Sequence, residues 1–469
     1  PDLGLAYVVI LHLSPDERSA LRDILAVCTT MPVYQVDDSP ELRPNCVYVI
    51  PPDRELVIEG DRIAARPFTE VCGKRAPIDM FFRSVASARG DGVAIVLTGA
   101  GSDGALGVTA VKEAGGVIMV QDPSEASFPS MPQNAIATGS ADFVAPIARL
   151  VEYLSEVARS KDAVRSIDVA ESTIELRRII AVLRSRVGHD FSAYKSATVM
   201  RRVIRRMQVC RAKTLSEYAD YLTSTPDEAH NLFSDLLISV TMFFRDEQAF
   251  EALATQAVRP LVSGYDAEVE DSIRVWVVGC ATGEEAYSVA ILFHEELARQ
   301  NVRIPLQIFA TDLDENALAL AREGRYPRAI EADVSQERLA NFFIDEGSHF
   351  RVRKELRDTI LFAKHSILKE PPFMRLDLVT CRNLLIYLER TLQAQVYSLF
   401  SYGLRGGRYL FLGSAETVDA ATDLFAPVDR QARIYSSKLH GAQLLPVMPQ
   451  FATPQKLSSH RVAPQMVER

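Results

Sequence analysis

An apolar run, IRVWVV (273–278), leads into Gly279, Cys280, Ala281, Thr282, Gly283, Glu284 and Glu285, and the helical pattern AYSVAILF follows at once. Glycines at a strand-to-helix turn let backbone approach a ligand closely. The spacing is not the G-x-G-x-x-G of dinucleotide sites, and two acids open the helix. Acids there repel phosphate and suit a ligand carrying an ammonium or a sulfonium. One strand later, LQIFAT ends in Asp312, followed by Leu313 and Asp314. A carboxylate at that place can accept hydrogen bonds from both ribose hydroxyls. Equally, Asp312 and Asp314 can simply cap the helix ENALALARE. Two further segments carry polar residues beside apolar runs: LDLVTCRNLLIYLE (376–389), and SVTMFFRDEQAFEAL (239–253), with Thr241 and Arg245.

A second concentration of chemistry lies between Phe191 and Ser216. Lys195, Arg201, Arg202, Arg205, Arg206, Arg211 and Lys213 stand there without one Asp or Glu. Met200, Val203, Ile204 and Met207 recur at helical spacing, so they are expected to bury while the arginines crowd an exposed side. Like charges at i,i+4 repel, and a solvated face usually mixes signs, so the pattern points to an anionic partner. No aromatic platform interleaves the bases and the net charge is −9, which argues against nucleic acid. A third motif, LTGAGSDGALGVTAVKEAGG (97–116), reads as strand, glycine-rich turn and helix.

These segments need elements to position them. Residues 1–150 alternate apolar runs (YVVIL, CVYVI, VAIVL, VIMV) with helical patterns, which predicts a parallel α/β sheet. Residues 151–175 read as a charged helical linker and 176–245 as helices only. From 273 strands return as IRVWVV, LQIFAT, LDLVT and RYLFLG, with 349–367 expected as an antiparallel excursion off this second sheet. The tail 438–469, rich in Pro, Gln and Ser, is expected to be disordered. At 469 residues, with 48% hydrophobic and 24% charged, the chain suits two or three globular domains. The 6 cysteines lie far apart with no C-x-x-C pair, which fits a reducing, cytoplasmic location and no metal site. No apolar run approaches the roughly 20 residues of a membrane span, and the opening PDLGLAYVVILHL reads as a buried strand rather than a signal peptide.

Taken together, GHDFSAYKSATVMRRVIRRM, SVTMFFRD, GCATGEEAYSVA, ATDLDENALALAREGRYP, FMRLDLVTCRNLLIYLE and GGRYLFLGSAET resemble, in order over residues 176–437, the CheR family of chemotaxis receptor methyltransferases. The resemblance implies a small all-helical domain (176–245) and a class I Rossmann-like methyltransferase domain (246–437), with an antiparallel β-subdomain at about 326–367. It implies S-adenosylmethionine as methyl donor, S-adenosylhomocysteine as product, and a cofactor pocket drawn from Thr241, Arg245, Gly279, Gly283, Glu284, Asp312, Asn383 and Leu384. Glu284 would lie near the methionine end, Asp312 on the ribose, and Asn383 near the adenosine. Arg245 would hold either the acceptor carboxylate or that of the cofactor, unless it merely caps a helix. The implied partner is the acidic helical methylation region of a methyl-accepting receptor, docked on Arg201, Arg202, Arg205 and Arg206, with membrane association only through that receptor. No glycine-containing insertion suggests dependence on a receptor tether. The family's usual G-H-S-E appears here as Gly413, Ser414, Ala415 and Glu416, which leaves the role of that loop open.

The first 150 residues, through VVILHLSP, CVYVIPPDRELVIEGDRI, IDMFFRSVA, LTGAGSDGALG and VQDPSEASFPSMPQNAI, resemble the catalytic domain of CheB chemotaxis methylesterases. That family works through Ser-His-Asp, with His12 matching the base and Asp103 the orienting acid. Its serine belongs to a glycine-rich turn upstream of the histidine. The eleven residues before His12 hold no such turn, and Ser14 and Ser102 lie outside the family's nucleophile position. The reading is therefore a receptor glutamate methyltransferase behind an esterase-like domain with a remnant site. The alternatives are a bifunctional writer and eraser, a cofactor- and receptor-binding module without turnover, and a small-molecule methyltransferase, against which the basic helical domain speaks.

Overall fold

A computed structural model of the chain describes residues 3–12, 19–68, 76–88, 92–164, 169–237, 241–268 and 271–438. Residues 439–469 of the expected tail, Ser14 and Cys72 lie outside the described residues.

The centre of the second half is a 7-stranded sheet. Its order is Ile360–Lys364, Leu306–Asp312, Ile273–Val278, Leu376–Cys381, Leu404–Leu412, Ile434–Ser437 and Phe425–Asp429. The first five run parallel, and Ile434–Ser437 is antiparallel to both of its neighbours. Every residue of Leu376–Cys381 is buried, and five of the six in Ile273–Val278, because helices cover both faces. Trp276 is fully buried and donates from its indole N–H to the Thr311 hydroxyl at 2.9 Å, so its one polar atom is satisfied inside the core.

Register aligns the strand ends. Val278 lies opposite both Thr311 and Cys381, and Asp312 opposite Lys364. Gly279, Asp312 and Arg382 therefore leave the sheet side by side, where the chain order reverses between neighbouring strands. That is the crevice in which open α/β sheets bind ligands.

Two expectations for this half change. The antiparallel excursion is the 3-stranded sheet Arg325–Pro327, His349–Val352 and Phe343–Asp345. Ile360–Lys364, expected to belong to it, is instead the edge strand of the main sheet, parallel to Leu306–Asp312. Ile360 and Phe362 point into the core while Leu361 faces out, so strand alternation served a parallel edge that local pattern could not tell from a hairpin arm.

The first unit has the expected parallel strands, in two 3-stranded sheets: Val33–Gln35, Val47–Val49 and Tyr7–Val9 in one, and Val93–Val96, Val117–Gln121 and Phe143–Ala145 in the other. A hairpin, Arg54–Glu59 with Arg62–Pro67, was not foreseen; its turn is Gly60-Asp61. Between the two α/β units stand the helices Val169–Val187, Ser196–Cys210, Leu215–Ser224 and Pro226–Leu237, packed around Val203, Met207, Tyr218 and Leu232. Among the described residues no helix is long and apolar enough to cross a membrane.

Candidate functional site

The glycine-rich turn is built by backbone shape. Gly279, Ala281 and Gly283 all have positive φ, at 69°, 46° and 98°. A side chain on Gly283 would start 2.9 Å from the Ala321 Cβ, so the turn closes on its neighbour only with glycine there. The following helix Glu284–Gln300 points its N-terminus at the same crevice.

Four carboxylates gather around it. Asp312 accepts from the Ala281 N–H at 2.8 Å and the Asp314 N–H at 2.9 Å, while Asp314 caps the next helix through the N–H groups of Asn316 and Ala317. The two readings of that acidic pair thus separate: Asp314 caps the helix, and Asp312 turns to the glycine-rich turn. Glu284 accepts from the Thr282 hydroxyl at 2.6 Å, and Glu285 from the Thr380 hydroxyl at 2.6 Å. Burial raises the pKa of Asp312 and of Glu285, and pushes Glu284 up to about 7 against the opposing Thr282 hydrogen bond.

Glu416 is the residue that sequence reasoning left without a role. It is 4% exposed and accepts from the N–H groups of Gly413, Asn383, Leu385 and Ile386. It thereby fixes Asn383, which has φ 58°, and Leu384 at the end of the central strand. Gly413 is required at this crossing, since a Cβ there would lie 2.9 Å from the Asn383 nitrogen. The local string GSAE carries no sign of this, because three of the four partners are 30 to 33 residues upstream.

The Thr241–Arg245 segment is locked from two sides. Phe244 N–H donates to the Ser288 hydroxyl at 3.0 Å, and Arg382 donates to the Arg245 carbonyl at 2.8 Å and to Asp246 at 2.7 Å. Thr241 and Arg245 are both half-buried. Among the described residues the Arg245 side chain caps no helix; its guanidinium meets the Glu113 carboxylate of the first unit at 3.5 Å. The sheet ends thus bring together Gly279, Gly283, Glu284, Asp312, Asn383 and Leu384, and Arg382 ties the Arg245 segment to them.

The donor set fits S-adenosylmethionine. Acidic side chains at a glycine turn can face a sulfonium and an ammonium, and a carboxylate at the end of the second strand can face ribose hydroxyls. Among the described residues no cluster of His, Cys, Asp and Glu could hold a metal ion.

Matches to known proteins agree with this geometry. Residues 239–434 match the model for the CheR methyltransferase SAM-binding domain, and 174–237 the CheR all-alpha domain. Putative methyltransferase Cher3 of Pseudomonas putida is 33% identical over 56% of this chain and 96% of its own length. The chain belongs to the CheR methyltransferase family. The chemotaxis protein methyltransferase of Escherichia coli is 30% identical, over 53% of this chain and 86% of that one. Residues 1–154 match CheB methylesterase. A 104.1 kDa uncharacterized protein of Rhodobacter capsulatus is 38% identical over 90% of this chain, which spans 47% of its length. Among solved structures, the CheB methylesterase catalytic domain of Thermotoga maritima is 27% identical, over 32% of this chain and 82% of that one, with a TM-score of 0.30.

In the CheB-like unit, His12 and Asp103 come together. The imidazole Nε2 lies 2.9 Å from an Asp103 oxygen, and that hydrogen bond raises the His12 pKa. Asp103 is itself held by the N–H groups of Ile78 and Asp79. An imidazole held by a carboxylate is the pairing that a Ser-His-Asp site uses, but here it is made through Nε2, where that template uses Nδ1.

The basic docking face requires correction. Arg202, Arg205 and Arg206 are 3%, 1% and 9% exposed, and of the four expected docking arginines only Arg201 faces solvent. Arg205 pairs with Asp142 of the first unit and Asp235 of the helical one, and donates to the Gly116 carbonyl at 3.0 Å. Arg206 forks onto Glu228 at 2.9 and 2.6 Å, and Arg202 donates to the Lys112 and Glu113 carbonyls at the end of helix Ala105–Ala114. Each charge is matched by acids or helix-end carbonyls far away in sequence, so a composition window without acids did not mean an exposed face.

Proposed function

We propose that the CheR-type part of this chain transfers methyl from S-adenosylmethionine to glutamate side chains of a chemotaxis-type receptor. The observation that carries the reading is the pairing of an acidic glycine-turn crevice with a guanidinium, Arg245, that already holds a carboxylate at its edge. The cofactor supplies a methyl group made electrophilic by its sulfonium. A glutamate acceptor has a pKa of about 4.3 and is already nucleophilic at neutral pH, so no general base is needed. What the chain must supply is alignment in a dry site. Glu284 and Asp312 bind the donor at its cationic and ribose ends, Asn383 and Leu384 line the adenosine side, Thr241 closes the pocket, and Arg245 positions a carboxylate. Transfer of labelled methyl from S-adenosylmethionine to receptor-containing membranes tests this, followed by release of methanol in alkali. Base-labile label on the receptor is the expected result; cofactor binding without label would leave a regulatory module.

A writer-and-eraser reading draws on the His12–Asp103 pair, and it needs a serine brought to His12.

Cofactor binding should depend on pH through Glu284. Its pKa of about 7 in the free protein lies above its unfolded value, so below pH 7 the carboxyl is mostly neutral. A bound cation favours the charged form and expels that proton. Affinity should therefore rise with pH up to about 7 and flatten above it, with proton release seen calorimetrically in buffers of different ionisation enthalpy. Glu284→Gln should bind more weakly at pH 8 with a flat profile. An unchanged slope in that variant would remove Glu284 from the cofactor.

A further inference from the structure

A seam of polar contacts joins the first unit to the helical and methyltransferase units. Arg202 binds the carbonyls that end helix Ala105–Ala114, Arg205 binds Gly116 and Asp142, Arg211 pairs with Glu156 at 2.8 Å, and Arg83 reaches Asp333 of the methyltransferase unit at 3.6 Å. At the centre of this seam is Glu113. Its side chain is 22% exposed, and its carboxylate meets Arg245, whose own segment is tied to the strand end carrying Asn383. The Tyr387 hydroxyl, four residues beyond Asn383, has its pKa pushed up to about 12 by burial, with the negative charge of Glu113 acting in the same direction.

A glutamate carboxylate on the guanidinium proposed to position a glutamate carboxylate is a substrate's chemistry presented from within the chain. Arg205 joins the first unit to the helical one along the same seam: it is a fully buried cation shared by Asp142 and Asp235, and parting the units would leave buried charges unpaired. We propose that the CheB-like unit plugs the methyltransferase, with Glu113 occupying the acceptor-carboxylate position at Arg245, so that a receptor must displace helix Ala105–Ala114 before it is methylated. This rests on the acceptor role given to Arg245 above. The partner it implies is one acidic enough to compete for the same arginines, a glutamate-rich helical surface.

Two readouts on the full chain separate the plug from the activity. The first is the rate at which phenylglyoxal modifies Arg245, followed by peptide mass mapping without cofactor. Glu113→Ala keeps a helix-forming residue and should leave the fold intact. It should raise that rate about fivefold, the size expected for losing one partly exposed ion pair. Arg83→Glu, which sets like charges against Asp333 at the rim, should raise it as well. The second readout is methyl transfer to a chemoreceptor cytoplasmic fragment, expected to speed up in the same variants with cofactor affinity unchanged. An Arg245 modification rate equal in wild type and Glu113→Ala overturns the plug, and so does measurable transfer that none of the variants accelerates. Faster modification with no transfer by any form keeps the plug and removes the methyltransferase reading instead.

Discussion

Arg205→Met should destabilise the chain by about 3–5 kcal/mol, the penalty for removing one partner of a buried ion network. Asp142 and Asp235, left behind, are nearly fully enclosed; Asp235 keeps a longer contact to Arg206 at 3.9 Å and Asp142 keeps the Ile118 N–H, so each loses its nearest cation. The Gly116 carbonyl loses its donor too. For units of this size each kcal/mol moves Tm by roughly 2–4 °C, so calorimetry should show a fall of about 10 °C. Because Arg205 bridges the first unit and the helical one, the transitions of both should shift. Adding Asp142→Asn and Asp235→Asn to Arg205→Met should recover much of the loss, since neutral partners of the same shape carry no unpaired charge. If Arg205→Met alone left both transitions in place, the arginine would be a surface residue after all, and the docking face drawn from the sequence would stand.

That contrast marks where sequence was informative. The helix Ser196–Cys210 and its buried Val203 and Met207 were legible, because helical periodicity is set by neighbours a turn away. The fate of its arginines was not. Asp235, Glu228 and Asp142 lie 30, 22 and 63 residues from their partners, and the carbonyls that Arg202 binds are about ninety residues away. The glycine turn was legible for the same local reason, since its strand, glycines and helix are contiguous. Asp312 and Asp314 stayed ambiguous because both residue types cap helices, and only geometry assigns the cap to Asp314. Glu416 and Glu113 could not be found by pattern: one acts through backbone groups of a distant loop, the other through a contact between units. Ile360–Lys364 was misplaced because alternation reports which side is buried and says nothing about which sheet supplies the partner strand.

Asp312→Ala should weaken S-adenosylmethionine binding on the order of 100-fold while the sheet stays folded. Its carboxylate makes two backbone hydrogen bonds in the free protein, to Ala281 and Asp314, and each oxygen has a further lone pair for a ribose hydroxyl. Hydrogen bonds to a charged acceptor contribute about 1.5–3 kcal/mol each, so losing the ribose contacts accounts for a hundredfold change. The Ala281 turn, held at φ 46°, also loses its anchor, which acts in the same direction. Asp314→Ala is the control that separates the two roles. It removes the cap on helix Glu315–Glu323, which should lower stability by about 1 kcal/mol with affinity nearly unchanged. Asp312→Asn keeps the acceptor for Ala281 and loses the charge, so its affinity should fall between wild type and Asp312→Ala. Calorimetric titration at pH 8, above the Glu284 pKa of about 7, compares the three directly. Equal affinities for Asp312→Ala and Asp314→Ala would mean that both acids serve only the local backbone, and the ribose contact would have to come from elsewhere in the crevice.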